Sequence, residues 1–194
     1  HIALINFKLR HICVFSIDKL MKSKGNIVFL GMMGSGKSSI GKIVSEKLKL
    51  EFYDIDTIIE KELGMKIPQI FSKKGENFFR KIEEKVTIGT LKKKNIVIAL
   101  GGGSFLNKNV RKEVLMKHIS FWLYLDDFRL IKRIKDNPKR PIAFNSTKET
   151  LVDLIKKRSK IYSKALFKID CNNSTKKNIA TKVIEIYENK KIKN

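Results

Sequence analysis

Short β-branched runs that alternate with helical patterns along the chain predict an α/β fold, three α/β/α layers around a five-stranded parallel sheet. Two stretches carry most of that prediction. Ile96-Val97-Ile98-Ala99-Leu100 is an unbroken apolar run of the kind buried on both faces at the centre of a parallel sheet. Ile27-Val28-Phe29-Leu30 is a second, followed by glycines and then by Ile40, Val44 and Leu48 at helical spacing. At 194 residues the chain suits one domain with a proper core.

Between that strand and helix lies Gly31-Met32-Met33-Gly34-Ser35-Gly36-Lys37-Ser38, two glycines enclosing four residues and then Lys-Ser. In a strand–loop–helix context this pattern is a P-loop, and the predicted fold is P-loop NTPase-like. Backbone N–H groups turn inward and the helix N-terminus adds its dipole, so the loop attracts polyphosphate. The nucleotide-site candidates are Gly34, Ser35, Gly36, Lys37, Ser38 and Ser39. The chain therefore binds a nucleoside triphosphate, and the open question is what receives the phosphate.

Composition bounds the answer. The formal net charge is +23, yet the basic residues are mostly Lys and scattered rather than striped. Solvated lysine faces explain this better than a nucleic-acid interface, and anionic substrates would still be steered inward. Cys13 and Cys171 form no metal spacing and no framework of pairs, which fits a reducing, cytoplasmic compartment. Residues 1–20 read as an N-terminal extension, set apart from a single domain at 21–194. The extension is broken by Lys8, Arg10, His11 and Asp18, so it does not span a membrane. It is either a targeting remnant or upstream sequence read in frame before a start at Met21, and we favour the second.

After the P-loop helix, Glu51 to Asp56 reads as a second strand ending in two acids two apart. Residues i and i+2 of an extended segment face one side, so Asp54 and Asp56 would project together where open α/β sheets place their ligands. One can hold the metal that accompanies ATP while the other faces an acceptor hydroxyl. A helix from Thr57 to Leu63 stops at Gly64, a short helix starts at Ile67, and a longer one runs from Gly75 through Leu91. Arg80 follows Phe78 and Phe79. It either grips a carboxylate against aromatic walls or pairs with Glu83 or Glu84.

The strand at 96–100 ends in Gly101-Gly102-Gly103 and carries no terminal Asp, which moves the metal duty to Asp54 and Ser38. Three glycines let backbone approach a ligand closely. A helix over Asn109 to His118, a strand over Phe121 to Leu125 and a basic helix over Asp126 to Lys135 follow. Pro138-Lys139-Arg140-Pro141 then opens a loop to about Thr147, which would act as a lid carrying Arg140 over the phosphates. The helix from Thr147 to Tyr162 shows Leu151, Leu154, Ile155 and Ile161 as an apolar face, with Arg158 undistinguished among Lys156, Lys157 and Lys160. A fifth strand at Phe167 to Cys171, a turn and cap at Asn172-Asn173-Ser174, and a helix from Lys176 to Lys191 complete the chain.

From about Lys24 onward this ordered set resembles the shikimate kinase family. The likeness rests on the P-loop, Asp54-Ile55-Asp56, Phe79-Arg80-Lys81-Ile82-Glu83, Gly101-Gly102-Gly103, Arg140-Pro141, and Arg158 before Tyr162. The resemblance implies ATP-dependent phosphorylation of the shikimate 3-hydroxyl, with Mg2+ as cofactor and two small-molecule substrates, by a monomer without nucleic-acid or membrane partners. It implies that Lys37 contacts the β- and γ-phosphates, Ser38 coordinates magnesium, and Asp54 holds it through water. Asp56 would be the base on the acceptor hydroxyl. Arg80 and Arg158 would grip the carboxylate, and the Gly101 to Gly103 backbone would close over the ring. Phe71, Phe79 and Glu83 would shape the pocket, Arg140 would come down on the lid, and Arg133 would lie near adenine. The residue after Ser38 is Ser39 where the family commonly has Thr. A gluconate-type kinase is the alternative of the same architecture, but it would not need the Arg80 and Arg158 pair. A nucleic-acid-binding P-loop module would leave the two acids and the triple glycine unexplained.

Overall fold

The computed structural model describes residues 25–134 and 146–192. Five strands, β1 (Ile27–Leu30), β2 (Glu51–Asp54), β3 (Ile96–Ala99), β4 (Ile119–Tyr124) and β5 (Phe167–Asp170), form one parallel sheet in the order β2-β3-β1-β4-β5. Every residue of β1 and β3 is buried, whereas the edge strands β2 and β5 mix exposed and half-buried positions. This is the expected division between central and edge strands of a covered parallel sheet. Seven helices accompany the strands among the described residues: α1 (Lys37–Leu48), α2 (Ile55–Leu63), α3 (Ile67–Leu91), α4 (Lys108–Lys117), α5 (Asp127–Ile134), α6 (Lys148–Tyr162) and α7 (Lys176–Ile192). None is long and apolar enough to cross a membrane.

The chain leaves β1 on one side to make β2 and β3 and crosses to the other for β4 and β5. The topological switch point therefore lies at the carboxyl end of β1, where such sheets bind ligands. The loops after β1, β2 and β3 all open there. The opposite end is closed by one side chain. Buried Asn26 donates to the carbonyls of Leu91 (3.2 Å) and Lys93 (2.8 Å) and accepts from Ile96 N (3.3 Å). Its own backbone N–H donates to His118 Nδ1 at 3.2 Å.

Several boundaries differ from the sequence prediction for local reasons. β2 ends at Asp54, whose carboxylate accepts from Thr57 N (3.2 Å) and caps α2. Asp56 therefore lies in the first helical turn and not on the strand, and i,i+2 strand geometry is not what brings the two acids together. α3 is continuous except at Gly75, whose φ of 80° breaks it where the sequence predicts two helices. A short 3-10 turn, Ser104–Leu106, follows the glycines and was not predicted. Thr175, not Ser174, caps α7, accepting from Asn178 N at 3.2 Å. The extension at 1–20 and the expected lid, with Pro138, Arg140 and Pro141, lie outside the described residues.

Candidate active site

Two cavities lie at the carboxyl end of the sheet. The larger, about 700 Å³, is lined by Gly34, Gly36, Lys37, Ser38 and Ser39 of the P-loop, by Asp54, Asp56 and Thr57, and by Arg133 and Lys176. Gly36 supplies its first turn, with a φ of 97° at the α1 N-cap that an L side chain rarely adopts. The Lys37 ammonium is mostly buried and donates to the carbonyls of Gly31 and Met32, both at 2.9 Å. Arg133 donates to the Gly34 carbonyl (3.2 Å) from α5, and Lys176 approaches Ser39 Oγ (3.4 Å) from α7. Two cations thus reach the loop from opposite sides. Ser35 does not line the cavity: it is buried, and its N–H bonds Met32 O within the loop.

The smaller cavity, about 220 Å³, is lined by Glu76, Arg80, Glu83, Gly103, Ser104 and Arg158, among others. Arg80 lies 5.2 Å from the Phe79 ring centroid and 6.0 Å from that of Phe71, within cation–π reach. It also pairs with Glu83 at 2.5 Å and with Glu76 at 3.0 Å. The aromatic walls and the ion pair anticipated as alternatives are therefore both present, with Glu76 in place of Glu84. Burial works against the charge on Arg80, but Glu83 and Glu76 outweigh it and hold its pKa above the ordinary arginine value. Glu83 is only 3% exposed, and Ser104 Oγ donates to its second oxygen at 2.8 Å. Glu84 also lines this cavity and accepts from Asn107 and Asn109 at 2.9 and 2.7 Å.

Arg158 enters from α6, where Leu151, Ile155, Arg158 and Tyr162 form the buried stripe. It is 6% exposed and has no carboxylate within ion-pair distance among the described residues. Its Nε is buried without a hydrogen-bond partner. A cation held this way is costly until an anion completes it. Arg80 and Arg158 thus face one cavity as a pair, the first neutralised by acids and the second lacking one.

The three glycines clear room for side chains. A Cβ on Gly101 would lie 2.5 Å from Glu83 Oε1 and 2.7 Å from Asp56 Oδ1. On Gly102 it would lie 3.2 Å from Met33 N and 3.8 Å from Arg158, and on Gly103 it would overlap the Arg80 guanidinium. The sequence reading had these glycines admit a ligand to the backbone. In the structure Gly101 and Gly103 also make room for charged side chains of the site, and Gly102 for the P-loop backbone at Met33. Gly101 is also the seam, because Asp56 lines the larger cavity and Glu83 the smaller.

Magnesium fits the residues of the larger cavity. No group of three or more His, Cys, Asp or Glu among the described residues could cage a metal, whereas the Ser38 hydroxyl and the Asp54 carboxylate are among the oxygens that line this cavity. Oxygen ligands without a closed cage suit an ion that keeps several waters and shares phosphate oxygens.

Sequence reasoning missed Glu76, Ser104 and Lys176. Glu76 stands four residues before Arg80, a spacing that marks helical ion pairs. Ser104 and Lys176 carry no such signal.

The Shikimate kinase family model matches residues 33–188. Shikimate kinase from Bartonella henselae is 38% identical over 179 residues, 90% of this chain and 85% of the relative. The one from Thermodesulfovibrio yellowstonii is 40% identical over 164 residues, 84% of this chain and 95% of that protein. Among solved structures, shikimate kinase from Acinetobacter baumannii in complex with shikimate superposes with a TM-score of 0.80 at 31% identity, covering 87% of this chain and 95% of that one. With the family model covering Lys37, Ser38, Asp56, the three glycines and both arginines, the chain belongs to the shikimate kinase family.

Proposed function

We propose that this chain transfers the γ-phosphoryl group of ATP to the 3-hydroxyl of shikimate, releasing ADP and shikimate 3-phosphate. The observation that carries it is the seam at Gly101. Asp56, which lines the polyphosphate cavity, and Glu83, which lines the cavity with two arginines, both come up against Gly101. Family membership supports the same acceptor.

The residues divide the work by charge. Lys37 exchanges its loop carbonyls for the β- and γ-phosphates, while N–H groups of the Gly34 to Ser39 stretch receive the remaining oxygens. Arg133 and Lys176 flank the nucleotide. Arg80 and Arg158 hold the carboxylate, which fixes the ring so that one hydroxyl faces Asp56. Asp56 accepts that hydroxyl's proton as the oxygen attacks phosphorus, and ADP leaves from the opposite side. Magnesium on Ser38 and, through water, on Asp54 would neutralise phosphate charge when bound. Arg140 is proposed as the lid residue that adds positive charge at closure. Such transfers need positioning and charge neutralisation rather than a covalent intermediate.

A coupled ADP-release assay offering shikimate, gluconate or AMP as acceptor tests the reading. ADP release that depends on shikimate is expected. Turnover of gluconate or AMP without shikimate turnover contradicts it.

A further inference from the structure

Helix α6 presents two donors one turn apart, and both reach the same two acceptors. The Tyr162 hydroxyl donates to the Gly102 carbonyl, and its oxygen lies 3.7 Å from the Met32 sulfur. Arg158 reaches that carbonyl only at 3.4 Å and that sulfur at 4.0 Å. The acceptors belong to different loops, Met32 to the P-loop after β1 and Gly102 to the glycine loop after β3. One cluster therefore ties α6 to both halves of the site.

The sharing is unequal. Tyr162 is 1% exposed, and burial pushes its hydroxyl up to about 12, with Arg158 partly opposing, so it remains a donor at any working pH. It takes the better geometry at Gly102 O. Arg158 is left with two long contacts, its interaction with the Tyr162 hydroxyl itself and a buried Nε without a partner. If the Gly102 carbonyl were vacated, the guanidinium would close on it, since an unsatisfied buried donor and an unsatisfied acceptor side by side are both costly.

We infer that Tyr162 is a positioning residue for the acceptor site: by occupying the Gly102 carbonyl it keeps the Arg158 donors turned to the cavity, with Met32 as the seat on the donor side. Tyr162 lines neither cavity, so it acts through Arg158. The inference rests on the acceptor reading given above.

Titration calorimetry of the full chain with shikimate and, separately, with ATP tests it. The wild-type titration comes first; absence of shikimate binding there defeats the acceptor reading and this inference with it. With binding established, Tyr162→Phe should weaken shikimate about five- to tenfold, the worth of one neutral hydrogen bond, and change ATP affinity less than about twofold. In an Arg158→Ala background the same change should shift shikimate affinity less than about twofold, because the group it positions is gone. Met32→Leu keeps the bulk without the sulfur and should cost about two- to threefold, again only when Arg158 is present. Unchanged shikimate affinity in Tyr162→Phe, equal losses for both ligands, or an undiminished loss without Arg158 would each overturn the inference. Should Tyr162→Phe fail to fold by circular dichroism, Met32→Leu decides by the same criteria.

Discussion

The donor cavity is built around one contiguous run, Gly36 to Ser39, to which β2, α2, α5 and α7 add Asp54, Asp56, Arg133 and Lys176. The acceptor cavity instead collects side chains from α3, the glycine loop, the 3-10 turn and α6. A phosphate grip made of backbone is tied to no particular acceptor, and many unrelated reactions can use it. A grip assembled from Arg80, Glu83, Ser104 and Arg158 fits one kind of ligand, an anion with hydroxyls. The specific half is also the half held together by the ion pairs of Arg80, one of them to the buried Glu83 carboxylate, so it is where single substitutions should be selective.

The largest effect is expected at the seam, where the two halves touch. Asp56→Ala should lower turnover of shikimate by about two to four orders of magnitude, the usual contribution of a general base, and steady-state kinetics reads it directly. Near-normal turnover would remove Asp56 from that role.

Next comes a change confined to the acceptor half. Gly103→Ala would place a methyl 2.7 Å from the Arg80 guanidinium carbon. The flexible end of Arg80 can yield, so the fold should survive while shikimate affinity falls about 10- to 100-fold, the worth of a charge-assisted contact, with ATP affinity kept. Calorimetry with each ligand separates the two. Equal losses would mean that the halves are not energetically distinct.

The matching donor-side change is smaller because Lys176 is exposed. Lys176→Met should raise the KM for ATP about two- to fivefold, leave that for shikimate alone, and lose its effect at high salt.

The last prediction concerns the closed end of the sheet and should not touch catalysis. Burial pushes the His118 imidazole down to about 4, with Glu113 opposing and Lys117 adding to the shift. The folded value lies below the unfolded one of about 6.5, so the unfolded chain takes the proton first. Stability from this residue is complete above about pH 6.5 and is lost as pH falls toward 4. His118→Asn, which can still accept from the Asn26 N–H, should remove at most about 3 kcal/mol of the stability difference between neutral and acid pH. Urea titrations of both proteins across that range check it.

The same contrast decides what could be read from the chain. The P-loop is contiguous and its flanks are strongly apolar, so strand, loop and helix follow from spacing alone. Asp54 and Asp56 were legible as a pair, but the cap formed by Asp54 pulled the helix start back to Ile55, and local hydrogen bonding overrode the extended pattern. Arg158 could not be told from its lysine neighbours by type. Only the stripe Leu151, Ile155, Tyr162 marks its position as buried, and choosing Leu154 and Ile161 for the apolar face hid it. The room that the three glycines make for other residues was not legible, because those residues lie on α2, α3 and the P-loop.

The most direct test of a two-half site is the identity of the product. Phosphorus NMR of shikimate, ATP and magnesium with the enzyme should show one new phosphoester on the 3-oxygen for each ADP formed. ADP with free phosphate and unmodified shikimate would contradict the acceptor half, whatever the donor half binds.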